Sequence, residues 1–110
     1  MLKLIARNSL QKRTFSLTAD QQTLKEISQK FTLQHITPVA AHYDKTMEYP
    51  KPVLKQLWEN GLMNLHIPVE YGGQGLSVTD CAIVSEELAF GCSGIQTAAE
   101  ANGLAVLFIN

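Results

Sequence analysis

Apolar positions along this 110-residue chain recur at three- and four-residue spacing, and polar punctuation divides them into four helical segments. Thr18-Ala19-Asp20-Gln21 reads as a capping box, in which the Thr18 hydroxyl accepts from the backbone N–H of Gln21. Leu24, Ile27 and Phe31 then follow at helical spacing. Pro38 lacks an N–H and crowds the preceding turn, so it is expected to break or kink this first helix. The helix can restart through Val39, Ala40 and Ala41 towards Tyr43. A polar connector over 44–50 leads to Pro52, which suits the first position of a second helix carrying Val53, Leu54, Leu57 and Trp58 on one face. Gly61 can end that helix in the left-handed conformation.

Leu62 to Pro68 is a short apolar segment, expected to be extended, and Tyr71-Gly72-Gly73-Gln74-Gly75 is a loop that needs glycine torsions. Ser77-Val78-Thr79-Asp80 resembles a second capping box, opening a third helix from Val78 to Gly91. Its expected core face is Ala82, Ile83, Leu88 and Phe90, with Glu86 and Glu87 outward. Ser93-Gly94-Ile95-Gln96 reads as a third capping box and starts a fourth helix through Thr97, Ala101 and Leu104. No alternating strand pattern exists outside 62–69, so the expected class is all-α, a bundle of about four helices. The terminal run Leu104 to Ile109 is far shorter than the roughly 18 apolar residues a membrane span requires. It reads as core helix.

Charge changes the picture at one end. The formal net charge of −1 conceals an asymmetry: Lys3, Arg7, Lys12 and Arg13 precede any acid, whereas from Asp20 onward five basic and ten acidic side chains give −5. MLKLIARNSLQKRTFS therefore has the makeup of a mitochondrial transit peptide, apolar and hydroxylated with spaced cations. Arg13-Thr14-Phe15-Ser16 resembles a matrix-protease site cut after Phe15, giving a leader over 1–15 and a domain over 16–110. A frayed cationic tail is the competing reading. The acidic body argues against nucleic acid, since no basic stripe is interleaved with aromatics.

Candidate chemistry is sparse. Cys81 and Cys92 lack a Cys-x-x-Cys spacing and read as small buried residues. His35, His42 and His66 are scattered and offer no clustered metal ligands. Gly72-Gly73-Gln74-Gly75 lacks the Lys-Ser/Thr of a phosphate loop and the spacing of a dinucleotide fingerprint, which favours a structural turn. Glu86 and Glu87 point about 100° apart on a helix and do not converge on one substrate atom.

Several ordered stretches resemble the N-terminal helical domain of acyl-CoA dehydrogenases. They are Pro38-Val39-Ala40-Ala41-His42-Tyr43-Asp44-Lys45-Thr46, Glu48-Tyr49-Pro50, and Gly61-Leu62-Met63-Asn64-Leu65-His66-Ile67-Pro68. Tyr71-Gly72-Gly73-Gln74-Gly75-Leu76, Ser85-Glu86-Glu87-Leu88-Ala89-Phe90-Gly91-Cys92 and Gly94-Ile95-Gln96-Thr97-Ala98 follow in order. The Gly-Gly-x-Gly and Glu-Glu-Leu-Ala pieces look common to the family, and the Tyr-Asp-Lys-Thr, Leu-Met-Asn-x-His-Ile-Pro and Gly-Cys-Ser-Gly-Ile-Gln-Thr pieces look like its medium-chain type.

The resemblance implies oxidation of the Cα–Cβ bond of a medium-chain fatty acyl-CoA, with FAD as hydride acceptor and electron-transferring flavoprotein as outlet. It further implies a homotetramer in the mitochondrial matrix. In such enzymes the middle β-domain and the C-terminal helical domain supply most flavin contacts and the catalytic glutamate, so no acid here is assigned as the base. This domain's implied share is one wall of the acyl pocket, with Gln96 and Glu100 as polar floor and Thr97, Ala101 and Leu104 as lining. Positions 97, 100, 101 and 104 do share one helical face. Glu100 would need hydrogen-bond donors there, Gln96 being the nearest at i−4. After Leu104 the chain departs from the family pattern, which leaves a short isoform, a partial gene or a degenerate copy open. The rival function is a non-catalytic helical interaction module of the matrix.

Overall fold

The computed structural model describes residues 16–107, with side chains to residue 105. The expected leader over 1–15 and the end of the terminal apolar run, 108–110, lie outside the described residues. The helices are α1 (Ala19–Phe31), α2 (Thr37–Thr46), α3 (Lys51–Glu59), α4 (Val78–Gly91) and α5 (Ser93–Leu107). All described elements are helical, as the sequence pattern predicts.

Two of the three expected capping boxes form. Thr18 Oγ1 accepts from the Gln21 N–H at 3.2 Å while Gln21 Oε1 accepts from the Thr18 N–H at 3.1 Å. Ser77 and Asp80 repeat the exchange at the start of α4, at 3.3 and 3.1 Å. The two boxes are also joined, because Gln21 Nε2 donates to Asp80 Oδ1 at 2.9 Å. Further along, Lys25 Nζ lies 3.6 Å from Glu87 Oε1, and Thr32 Oγ1 donates to the Glu87 carbonyl at 3.0 Å. Pairs that advance together along both helices mean that α1 and α4 run parallel, in the most extensive helix contact of the fold.

Pro38 does not break the first segment. A π turn over Thr32–Ile36 links α1 to α2, closed by the Thr37 N–H donating to the Thr32 carbonyl. The extra residue in that turn lets the chain remain helical up to a proline that cannot donate. The turn also buries Thr32 and Ile36 against Gly91 of α4, where an added Cβ would stand 2.5 Å from Thr32 Cγ2.

α3 starts one residue earlier than expected, with Pro50 as cap and Pro52 at the second position. Its Val53, Leu54 and Leu57 are buried, but Trp58 is 55 % exposed. The Leu62 N–H donates to Leu57 O and the Gly61 N–H to Trp58 O, a Schellman end with Gly61 at φ 68°. Leu62 to Pro68 is not extended. It turns repeatedly, with Asn64 at φ 56°, and buries Leu62 and Leu65.

The face assigned to the third predicted helix is corrected. In α4 the buried positions are Ile83, Val84, Glu87 and Leu88, while Ala82 faces out and Phe90 is 80 % exposed. Positions 83, 84, 87, 88 and 91 fall within an arc of about 140° at 3.6 residues per turn, whereas 82 and 90 lie beyond it. Glu87 enters this arc because its carboxylate reaches Lys25 at the rim.

The start of the fourth helix is corrected as well. Cys92, with φ −168°, is the single extended residue between α4 and α5, and its carbonyl accepts from the Gln96 N–H at 3.1 Å. Ser93 therefore lies inside the helix instead of capping it. α5 buries Ile95, Ala99 and Gly103, four residues apart, against α3 and α4. Phe31, Ile36, Leu57, Val84, Leu88 and Ile95 join these layers into one core.

Candidate acyl-pocket wall

The residues proposed for the pocket divide into two sets on α5. Thr97, Ala101 and Leu104 lie opposite the buried 95/99/103 stripe and are exposed. Gln96 and Glu100 stand at the border between the two faces, one turn apart, on the side turned towards α4. Gln96 Nε2 donates to Ser85 Oγ at 2.8 Å, and Ser85 Oγ donates to Glu100 Oε1. The expected direct partnership of Gln96 with Glu100 is thus replaced by a three-residue relay through α4. Ser85 was not among the candidates, because nothing in the local pattern tells which helix will face Gln96.

Beside Glu100 a cavity of about 180 Å³ opens between α4, α5 and the turn after α3. Leu62, Met63, His66, Cys81, Ser85 and Leu104 contribute to its lining. His66 is pressed onto Gly103, where an added Cβ would lie 2.7 Å from its Cε1. Its Nε2 is buried with no hydrogen-bond partner among the described residues. Cys81 and Cys92 are free thiols, both half-buried. Burial first, then the Asp80 and Glu100 carboxylates, push the Cys81 thiol up, which keeps it protonated and a poor nucleophile.

The glycine loop offers no free cradle for a phosphate or a flavin. The N–H groups of Gly72, Gly73 and Gly75 donate to the carbonyls of Val69, Pro68 and Ile67 at 2.8–3.2 Å. An added Cβ on Gly73 would lie 2.0 Å from Ile67 O, so the residue is fixed by close packing of the loop on itself. With these amides already used, the loop does not fit a flavin pyrophosphate and serves as a turn. Among the described residues no three His, Cys, Asp or Glu side chains gather as metal ligands. No described helix is long and apolar enough to cross a membrane.

Comparison with known proteins gives the family. The acyl-CoA dehydrogenase N-terminal domain profile matches residues 18–110, and the chain belongs to that family. A probable medium-chain specific mitochondrial acyl-CoA dehydrogenase of Caenorhabditis briggsae is 35% identical over 106 residues, 93% of this chain and 26% of that protein. A probable acyl-CoA dehydrogenase of Bacillus subtilis is 39% identical over 87 residues, 77% of this chain and 23% of its own. A 3-sulfinopropanoyl-CoA desulfinase of Paraburkholderia xenovorans is 38% identical over 79 residues, 72% of this chain and 20% of its own. The chain spans about a quarter of the length of these curated relatives. One N-terminal domain therefore accompanies differently named reactions on acyl-CoA, and this likeness fixes the family without fixing the reaction.

Proposed function

We propose that the chain is the N-terminal helical domain of an FAD-dependent acyl-CoA dehydrogenase acting on medium-chain fatty acyl-CoA in mitochondrial β-oxidation. Its share is one wall of the acyl pocket. The observation that carries this reading is the division of α5, whose inner stripe is buried while Thr97, Ala101 and Leu104 stay free and Gln96 and Glu100 are gathered on Ser85. Such a helix offers an acyl chain an apolar surface bordered by a fixed polar end. The family is generally FAD-dependent, and bound FAD supplies the hydride acceptor. This segment does not hold the flavin, and the proton-abstracting base belongs to other parts of the full protein. Its residues bind and orient the fatty tail and exclude water. A homotetramer, electron transfer to electron-transferring flavoprotein and a matrix location belong to the same proposal. The mitochondrial name of the Caenorhabditis briggsae relative and the cations confined before Ser16 support that location.

The test is made in a complete dehydrogenase carrying this segment. Ala101→Leu fills space along the outer face and is expected to shorten the preferred acyl chain. Glu100→Gly is expected to admit longer chains. Each methylene excluded or admitted changes binding by about 0.8 kcal/mol. The readout is kcat/KM along a series of straight-chain acyl-CoAs. An unchanged profile for both folded variants refutes the pocket wall. The 110-residue chain alone is expected to retain no FAD after gel filtration and to reduce no dye with octanoyl-CoA. Changing Arg7, Lys12 and Arg13 to Glu is expected to abolish mitochondrial import.

A further inference from the structure

We infer that Ser85 is a positioning residue that sets the depth of the acyl pocket, an inference that rests on the pocket reading above. Ser85 sits on α4, yet its hydroxyl is the meeting point of two side chains of α5. It donates to Glu100 Oε1 and accepts from Gln96 Nε2 at 2.8 Å. A hydroxyl has one proton to give, so its donation to the carboxylate fixes the polarity of the whole relay. Gln96 must then turn its amide NH₂ towards Ser85 and its Oε1 away, where the Thr97 hydroxyl stands 3.5 Å off. One short side chain thereby holds two long, rotamer-rich ones in a single arrangement.

The arrangement has a consequence for chain length because of what lies beside it. Glu100 stands between the exposed face of α5 and the cavity of about 180 Å³ lined by Ser85, Cys81, His66 and Leu104. At about 30 Å³ per water in the liquid, that space equals several small groups, enough for more than one methylene. While Ser85 holds Glu100, its carboxylate stands as a polar group at the border between the acyl surface and this space, which Leu104 also lines. Without the hydroxyl, both Gln96 and Glu100 lose their shared anchor and can swing aside.

Ser85→Ala in the complete enzyme is expected to raise kcat/KM for acyl chains longer than the wild-type optimum by about 5-fold relative to that optimum, the scale of one lost hydrogen bond. The change should enter through KM for the longer chains more than through kcat. Ser85→Thr keeps the hydroxyl and should restore the wild-type profile. If Ser85→Ala yields no flavin-loaded protein, Ser85→Cys carries the same expectation, since it leaves no cavity and donates only weakly. A purely structural interhelix bond would lower the melting temperature and leave the length profile alone, which would overturn the inference. Ala101→Leu separates the two failures. If Ala101→Leu shortens the preferred chain while the serine variants do not lengthen it, the positioning role fails and the pocket survives. If none of them moves the profile, the pocket reading itself is wrong.

Discussion

The α1–α4 contact and the outer face of α5 are finished in opposite ways. Along α1–α4 every turn finds a partner: the joined capping boxes, Lys25 with Glu87, Thr32 with the Glu87 carbonyl, then Thr32 and Ile36 on Gly91. On α5 the outward Leu104 is 57 % exposed, and Thr97 and Ala101 share its side. The first region spends its side chains on holding helices together. The second has side chains to spare, and they are the ones that the family resemblance assigns to substrate. On the proposed pocket reading, stability and ligand contact are separated by position in the fold, and substitutions should separate them too.

The strongest break in that comparison comes from the core. Leu57 of α3 is fully buried, so Leu57→Ala should destabilise by about 2–5 kcal/mol. Thr97→Ala on the outer face should stay within about 0.5 kcal/mol. Urea denaturation followed by circular dichroism measures both, and comparable losses would mean that the outer face is packed after all. Next in size is Gly91→Ala, where the new Cβ meets Thr32 Cγ2 at 2.5 Å. Overpacking costs about 1–3 kcal/mol, and the gain of about 1 kcal/mol from better helix propensity does not cancel it. A stabilised Gly91→Ala protein would show that the π turn can back away from α4.

A smaller effect distinguishes two serines that look alike in sequence. Ser77 caps α4 with its side chain, so Ser77→Ala should cost about 1 kcal/mol. Ser93 lies inside α5, and Ser93→Ala should change the urea midpoint little, within about 0.5 kcal/mol. Equal losses would restore the cap that the structure removes.

What was legible in the sequence follows from the range of the interactions involved. The capping boxes at Thr18 and Ser77, the Gly61 stop and the tight loop at 72–75 are set by atoms within a few residues, and each is found where its signature stands. The loop confirms its need for special torsions, with Gly72 at φ 82° and Gly75 at φ 62°. The third cap failed because the one-residue linker at Cys92 leaves no room for Ser93 outside the helix. The inward turn of Glu87 was hidden because the apolar residues of α4 are spread around the helix and mark no single face, so its phase is chosen by α1 and by Lys25, 62 positions away. Ser85 was hidden for the same reason. The outer residues of α5 were named from family likeness, and periodicity added only that they share a face.

The last prediction concerns the seam where the two capping boxes meet. Asp80 accepts from the Ser77 N–H and hydroxyl and from Gln21 Nε2, at 3.1, 2.7 and 2.9 Å. These hydrogen bonds, the Ser77 hydroxyl first and Gln21 second, hold its carboxyl below the ordinary value of 3.8. A carboxylate with a lowered folded-state pKa binds fewer protons folded than unfolded, so stability rises with pH wherever the unfolded chain is still protonated. Its contribution is complete above 3.8 and disappears as acid carries the pH down through the lower folded-state value. Asp80→Asn removes the charge and one acceptor at every pH. The variant should therefore be less stable than the parent at neutral pH, and the two should converge in acid below the carboxylate range. Because Asp80 is half-buried at the surface and still reached by solvent, the gap should be small and should narrow in high salt. Parallel urea titrations across the acid range measure it. A gap that persists unchanged into strong acid would mean that the seam depends on side-chain shape, with the charge of Asp80 contributing nothing.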